Sequence, residues 1–285
     1  MPLVYACICP HPPVIVAEVG RGREASTART IEAMRRIGEE LASYRPETAL
    51  VVSSHGPAQR EAIGLLTASE VAGDFARWGA PEVAFSFETD QELAQRILEE
   101  AAKDAVRLAP LRRWGDVLDW GATVPLYYLH DALRDARLLP MTTSWLTPRL
   151  HFEFGRAIGR AVAEYDRRVV FICSGDLSHA LAPDAPEGYD PAGKIFDERY
   201  RRTIEEWDVK WLTRLEPAFR RHAAEDAVPQ TAILMGALSG SRIQPRVLSY
   251  EAPFGVGYLV AAIDVLGSRR RTKAATASNA ATVRP

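Results

Sequence analysis

Hydrophobic and polar positions follow two rhythms along this chain. Four short apolar runs, rich in β-branched residues, stop abruptly at small polar residues, Gly or Pro, with a histidine or a carboxylate at the break. Residues 3–13 (LVYACICPHPP) end around His11, and 47–57 (ETALVVSSHGP) around His55. Residues 168–179 (RVVFICSGDLSH) break at Asp176 with His179 three residues on, and 246–257 (RVLSYEAPFGVG) break at Glu251. Such runs, bounded by turn residues, predict strands buried on both faces, as in parallel or mixed sheets.

The second rhythm is helical. Ile31, Met34, Ile37 and Leu41 predict a helix over 26–44, capped by Ser26 or Thr27 and stopped by Pro46. Thr89-x-x-Glu92 has the form of a capping box opening a helix to about Ala105, with Leu93, Ile97, Leu98 and Ala101 as its stripe. Residues 119–126 (DWGATVPL) read as a turn entering a helix that runs through Leu133. Pro148, with Thr147 as cap, opens a helix whose apolar face is Phe154, Ile158, Val162 and Tyr165. Further helical patterns cover 192–221 and 229–238, and further strands 137–145 and 258–266. Residues 65–87 read as short strands and loops around Trp78, and the proline- and acid-rich stretch 183–191 as a long loop.

Strands alternating with helices predict an α/β fold: a single domain over 1–267, its central, mostly parallel or mixed β-sheet flanked by helices. In open sheets of this kind ligands gather beyond the carboxyl ends of strands, which is where the histidines fall. Residues 268–285 are small, polar and basic, and predict a disordered tail. The formal net charge of −2 on 285 residues gives no electrostatic case for nucleic acid or an anionic membrane. No apolar run approaches the roughly 20 residues of a membrane span, and no signal-peptide pattern opens the chain, so the expected location is cytoplasmic. Cys7, Cys9 and Cys173 all lie in strand-like runs and read as reduced, buried thiols, the first two on one strand face.

Two neutral imidazoles and one carboxylate can occupy one face of an octahedral metal and leave adjacent positions open, the arrangement of non-haem Fe(II) oxygenases. His11, His55 and Glu251 are the candidate ligands. A structural zinc site would instead close four positions, usually with thiolates. Each residue has a plainer reading, a structural histidine before proline or a glutamate paired with arginine at the sheet rim, and only their joint position at strand ends favours a metal. His179 is the candidate acid/base, its tautomer and aim set by Asp176 and Ser178; the alternative is a capped loop with a satisfied histidine. His151 falls in the first turn of a helix and reads as a surface residue, and His130 and His222 as solvated or hydrogen-bonded.

At these residues the chain resembles the class III extradiol ring-cleavage dioxygenases of LigB type. The resemblance rests on His11-Pro12-Pro13, Ser54-His55-Gly56-Pro57, Ser174-Gly175-Asp176-Leu177-Ser178-His179 and the segment 250–258 (YEAPFGVGY), and extends to about Gly267. It implies Fe(II) on His11, His55 and Glu251, with zinc or manganese as alternatives, O2 as co-substrate, and His179 deprotonating a small aromatic diol. Trp120, Asp176 and Pro253 are the candidate substrate contacts. It leaves open a homo-oligomer or a small partner subunit. Many members carry Asp-His-Gly where this chain has Asp119-Trp120-Gly121, and an indole accepts no proton. The family also resembles the Memo proteins, which share the architecture without an assigned ring-cleaving reaction. A metal- or ligand-binding protein of that kind, or a metal-dependent hydrolase on the same ligands, is therefore the rival expectation.

Overall fold

The apolar runs form strands because both faces of the sheet they enter are covered. The computed structural model describes residues 2–57, 59–104, 106–110 and 117–268; most of the expected tail and the expected helix end at Ala105 lie outside them. The strands are β1 (Leu3–Cys9), β2 (Thr48–Ser53), β3 (Ile63–Leu65), β4 (Glu70–Phe75), β5 (Ala80–Glu88), β6 (Leu108–Pro110), β7 (Arg137–Thr142), β8 (Val169–Ser174), β9 (Ser241–Glu251) and β10 (Tyr258–Ser268). The helices are α1 (Ala17–Gly20), α2 (Ala28–Tyr44), α3 (Gln91–Ala102), α4 (Trp120–Leu129), α5 (Pro148–Ala163), α6 (Pro191–Glu206), α7 (Val209–Thr213), α8 (Pro217–Ala223) and α9 (Val228–Ala237).

Eight strands make one sheet in the order β6-β3-β7-β2-β8-β1-β10-β9. The four central strands, β7, β2, β8 and β1, are mutually parallel, whereas β10 runs antiparallel to both β1 and β9. The carboxyl ends of β1, β2, β8 and β9 therefore share one edge of the sheet. This is a single α/β domain with a large, mixed, mostly parallel sheet. Strands β4 and β5 form a separate antiparallel hairpin around Trp78.

Side chains alternate across the sheet. Leu50 and Val52 join a core with α3, α5 and α9, while Ala49 and Val51 face α2 and α4. Helix α9 is predominantly apolar and buried along its whole length, its polar Gln230 and Thr231 included. It lies against α5 at two glycines, where a Cβ on Gly155 would sit 2.0 Å from the Ile233 carbonyl and one on Gly236 2.1 Å from that of Phe152. Cys7, Cys9 and Cys173 are buried and unbridged. Among the described residues no helix is long and apolar enough to cross a membrane.

Three local expectations change. The cap of α3 is Asp90, whose carboxylate accepts the Leu93 N–H, because the Thr89 hydroxyl donates to the Ala68 carbonyl instead. Strand β7 stops at Thr142 rather than continuing to Trp145. His151 is buried, not a surface residue: its Nδ1 lies 2.9 Å from the Thr147 carbonyl and its Nε2 accepts the Ser144 N–H at 3.2 Å. Burial pushes its pKa down to about 4, which keeps the ring neutral.

Candidate metal centre

The strand order brings distant parts of the sequence together. Because β8 lies between β1 and β2, the residues leaving all three strands emerge side by side. His11 follows β1 by two residues and His55 follows β2 by two. Their Nε2 atoms are 2.8 Å apart, and Asp226 Oδ2 lies 3.3 Å from each. Asp226 comes from the loop that opens α9. Among the described residues this is the one group of three or more such donors with all ligand atoms within 4.8 Å of one another.

Each donor is aimed by groups behind it. The Ser174 hydroxyl donates to the Gly121 carbonyl, so toward His11 it accepts, and the hydrogen-bond pattern assigns the His11 proton to Nδ1, 3.0 Å from Ser174 Oγ. A neutral His11 then turns its Nε2 lone pair toward the cluster, as a metal ligand must. Asp226 Oδ1 accepts the Asp176 N–H at 2.8 Å, and its Oδ2 accepts the Ser54 hydroxyl at 3.0 Å. Gln230, fully buried on α9, donates from Nε2 to the Ser174 carbonyl (2.9 Å) and the Asp226 carbonyl (2.5 Å), joining the two sides of the cluster.

His55 is held by stacking. The Trp120 ring lies nearly flat on it, centroids 4.0 Å apart at 24°, while His11 meets it edge-on at 4.6 Å. Trp120 is placed there by Asp119, which caps α4 through the Ala122 N–H and accepts the Ser53 hydroxyl at 2.6 Å. Gly121 must lack a side chain, because a Cβ would come within 2.2 Å of Ser53 Oγ.

The electrostatics suit a cation. Burial pushes the Asp226 carboxyl up, but the facing His11 and His55 rings hold it below the usual carboxylate range. Burial likewise opposes charge on His11, yet Asp176 and Asp226 raise its pKa to about 9. Two imidazole nitrogens and one carboxylate oxygen converge where positive charge is favoured, and this donor set fits a divalent metal with open positions.

His179 is half-buried and hangs from the Asp226 loop: its Nδ1 donates to the Ala224 carbonyl at 2.9 Å, which leaves the Nε2 lone pair free. Its own loop is braced by the β9–β10 turn, through Leu177 N–H to Gly257 O (2.8 Å) and Gly257 N–H to Ser178 O (2.9 Å). Buried Asp197 accepts the Ser178 N–H at 2.9 Å and the Tyr250 hydroxyl at 2.8 Å. Burial pushes its carboxyl up to about 7.

Residues 5–261 match the family described as the catalytic LigB subunit of aromatic ring-opening dioxygenase. The chain belongs to the LigB family. Protein CA_C1420 of Clostridium acetobutylicum is 32% identical over 270 residues, covering 92% of this chain. The 3,4-dihydroxyphenylacetate 2,3-dioxygenase of Escherichia coli is 26% identical over 184 residues, covering 61% of this chain. The matches span 57% and 66% of those two relatives' own lengths. The fold is shared with the uncharacterized protein JW3007 of Escherichia coli K12, at a TM-score of 0.58 and 18% identity, over 92% of this chain and 99% of that one.

Set on this LigB fold, the expected site residues separate. His11 and His55 meet, and His179 hangs from the loop that supplies the carboxylate beside them. Glu251, expected as the third ligand, is elsewhere: its Oε1 accepts the Thr30 N–H at 2.7 Å and the Thr30 hydroxyl at 2.6 Å. The reason is local. Thr27 occupies the N-cap of α2, but its hydroxyl turns back to the Glu24 carbonyl, leaving the third helical N–H without a local partner. Glu251 supplies that partner from β9, a carboxylate at the positive end of a helix. Asp176, expected at the substrate, is buried, and its Oδ1 accepts the His11 N–H at 2.8 Å. Pro253 is exposed in the β9–β10 turn. Asp226 was not anticipated, because no apolar run precedes it. Its one signal is Glu225-Asp226 just before Pro229, which marks the first turn of a predominantly apolar helix.

Proposed function

We propose that this LigB-family chain is an extradiol dioxygenase that opens a catechol-type ring with O2, using Fe(II) held by His11, His55 and Asp226. The observation carrying this reading is the convergence of two Nε2 atoms and one carboxylate oxygen, with His179, its Nε2 free, hydrogen-bonded through Nδ1 to the loop that supplies the carboxylate. When bound, the iron supplies adjacent positions for diol and dioxygen and passes electron density between them. Family membership and the likeness to an Escherichia coli extradiol enzyme support the same chemistry.

The chain's own residues then have distinct tasks. Ser174 holds the His11 tautomer, and Asp176 and Ser54 fix the Asp226 carboxylate. His179 accepts a proton from a diol hydroxyl at Nε2, since its Nδ1 proton is committed to Ala224. Trp120 offers an aromatic face but no proton acceptor.

Anaerobic reconstitution with Fe(II), followed by a panel of aromatic diols with O2 uptake and ring-opened product recorded, tests this. Uptake that disappears in Asp226→Ala supports it. Metal binding without uptake across the panel would instead favour a metal-binding role without ring cleavage, a reading that Trp120 in the family's histidine position already supports.

A further inference from the structure

Among the described residues the buried tyrosines are Tyr5, Tyr165, Tyr200 and Tyr258. Three of them commit the hydroxyl to a partner: Tyr5 to Glu40, Tyr165 to Asp90 and Tyr200 to Thr231. The Tyr258 hydroxyl has no hydrogen-bond partner among the described residues, although the residue is only 3% exposed. Nor is it one of the fully enclosed polar atoms without a partner, which are Thr67 Oγ1, Thr203 Oγ1, Gln230 Oε1 and Ser249 Oγ. The hydroxyl is therefore the point at which this buried ring is reached. A polar group held in that way calls for a partner from outside the fold.

Its position is that of the candidate centre. Tyr258 opens β10 at the edge where β1 ends; the pairs Tyr5–Asp264 to Ile8–Ala261 fix that register, and on its other side Tyr258 pairs with Glu251. Alternation sets it on the face of Val260 and Ala262, shared with Cys7 and Cys9, the residues of β1 that lead to His11. The residue before it, Gly257, exchanges backbone hydrogen bonds with Leu177 and Ser178 of the His179 loop, and Asp176 of that loop accepts the His11 N–H. Burial, Asp176 and Glu251 push the Tyr258 pKa above the ordinary phenol value, against Arg23, so the hydroxyl keeps its proton. It is thus a neighbour of Asp176, which holds His11, and of Glu251, which caps α2.

The centre is rich in acceptors and poor in donors. His11, His179 and Asp226 all present lone pairs to it, and the Trp120 ring lies flat on His55. A diol that gives up a proton needs a donor on the oxygen left anionic.

We propose that Tyr258 is that donor, a further catalytic residue whose hydroxyl bonds the anionic oxygen of the diol on the His11 side of the centre. The identity of the ligand rests on the ring-cleavage reading; the uncommitted hydroxyl does not.

Tyr258→Phe removes the hydroxyl and keeps the ring. No protein group is left unpaired, so its Tm and its cobalt affinity should equal those of the wild type. Cobalt-loaded wild type and variant are then titrated anaerobically with 4-nitrocatechol, followed by its visible band. Binding is expected to be roughly 10- to 100-fold weaker in Tyr258→Phe, the effect of one hydrogen bond to a charged group. Equal affinity in the two proteins, or no binding by the wild type, overturns the assignment. A fall in Tm or in cobalt affinity would mark a structural hydroxyl and overturns it too. Turnover by iron-loaded protein separates this from the reaction itself. If nitrocatechol binding depends on Tyr258 but no diol is opened, the ring-cleavage reading falls and the donor stands. If catechol is opened with kcat and KM unchanged in Tyr258→Phe, the donor falls and ring cleavage stands.

Discussion

Asp226 and Glu251 are both carboxylates near the edge where β1, β2, β8 and β9 end, and only one faces the histidines. Glu251 ends β9, which lies two strands beyond β1, and at the usual spacing that is about 10 Å to one side. There its carboxylate meets the start of α2 and completes a helix cap. Asp226 belongs to no strand, yet its loop folds over the end of β8, between the two histidines. A strand end fixes the edge at which a residue emerges; the order of strands decides what it meets there.

This contrast separates substitutions on the Asp226 loop, which should act on metal and turnover, from those around the β9–β10 turn, which should act on folding. The largest effect lies at His179, hung from Ala224. His179→Ala is expected to keep the metal and lose turnover by roughly 10²- to 10⁴-fold. Loss of metal from that variant, measured by cobalt titration, would place His179 among the ligands. Next is Gln230, which ties Ser174 to Asp226. Gln230→Leu should weaken cobalt binding by roughly 10- to 100-fold, the usual effect of removing a group that orients metal ligands. Unchanged affinity would mean that the loop is held by other bonds.

The smallest effect, and one without a metal component, is expected at Asp197, which joins the His179 loop to Tyr250 of β9. Its folded pKa of about 7 lies above the ordinary carboxylate value, so the folded state binds more protons between those two pH values. Its contribution is therefore fully present below about pH 4 and is lost as pH rises through 7. Asp197→Asn should flatten the decline in thermal stability across that window, by a few kcal/mol at most and about 2–4 °C per kcal/mol in a chain of this size. A decline as steep as in the wild type would exclude Asp197 as its source.

Much of the fold was legible because fully buried parallel strands read as continuous apolar runs, and the turns after them carry His11, His55 and His179. The residues that were misread depend on contacts between distant segments. Thr89 has the form of a cap, but its hydroxyl finds Ala68, and neighbouring Asp90 takes the role. His151 lies three residues before Phe154 and seven before Ile158, so helical spacing already places it on the buried face; its polarity alone suggested the surface. The third member of the cluster was hidden for another reason. Asp226 is one acid in a loop, and only the packing of α9 against β8 carries it to the histidines.

Metal titration of Asp226→Ala and Glu251→Ala side by side, by calorimetry with Co(II) on freshly demetallated protein, is the most direct test of the centre. Asp226→Ala is expected to lose stoichiometric binding. Glu251→Ala is expected to bind as the wild type does, and to lose only the roughly 0.5–2 kcal/mol of stability of a helix cap. Retained binding in Asp226→Ala with lost binding in Glu251→Ala would contradict the arrangement and return the carboxylate ligand to the end of β9.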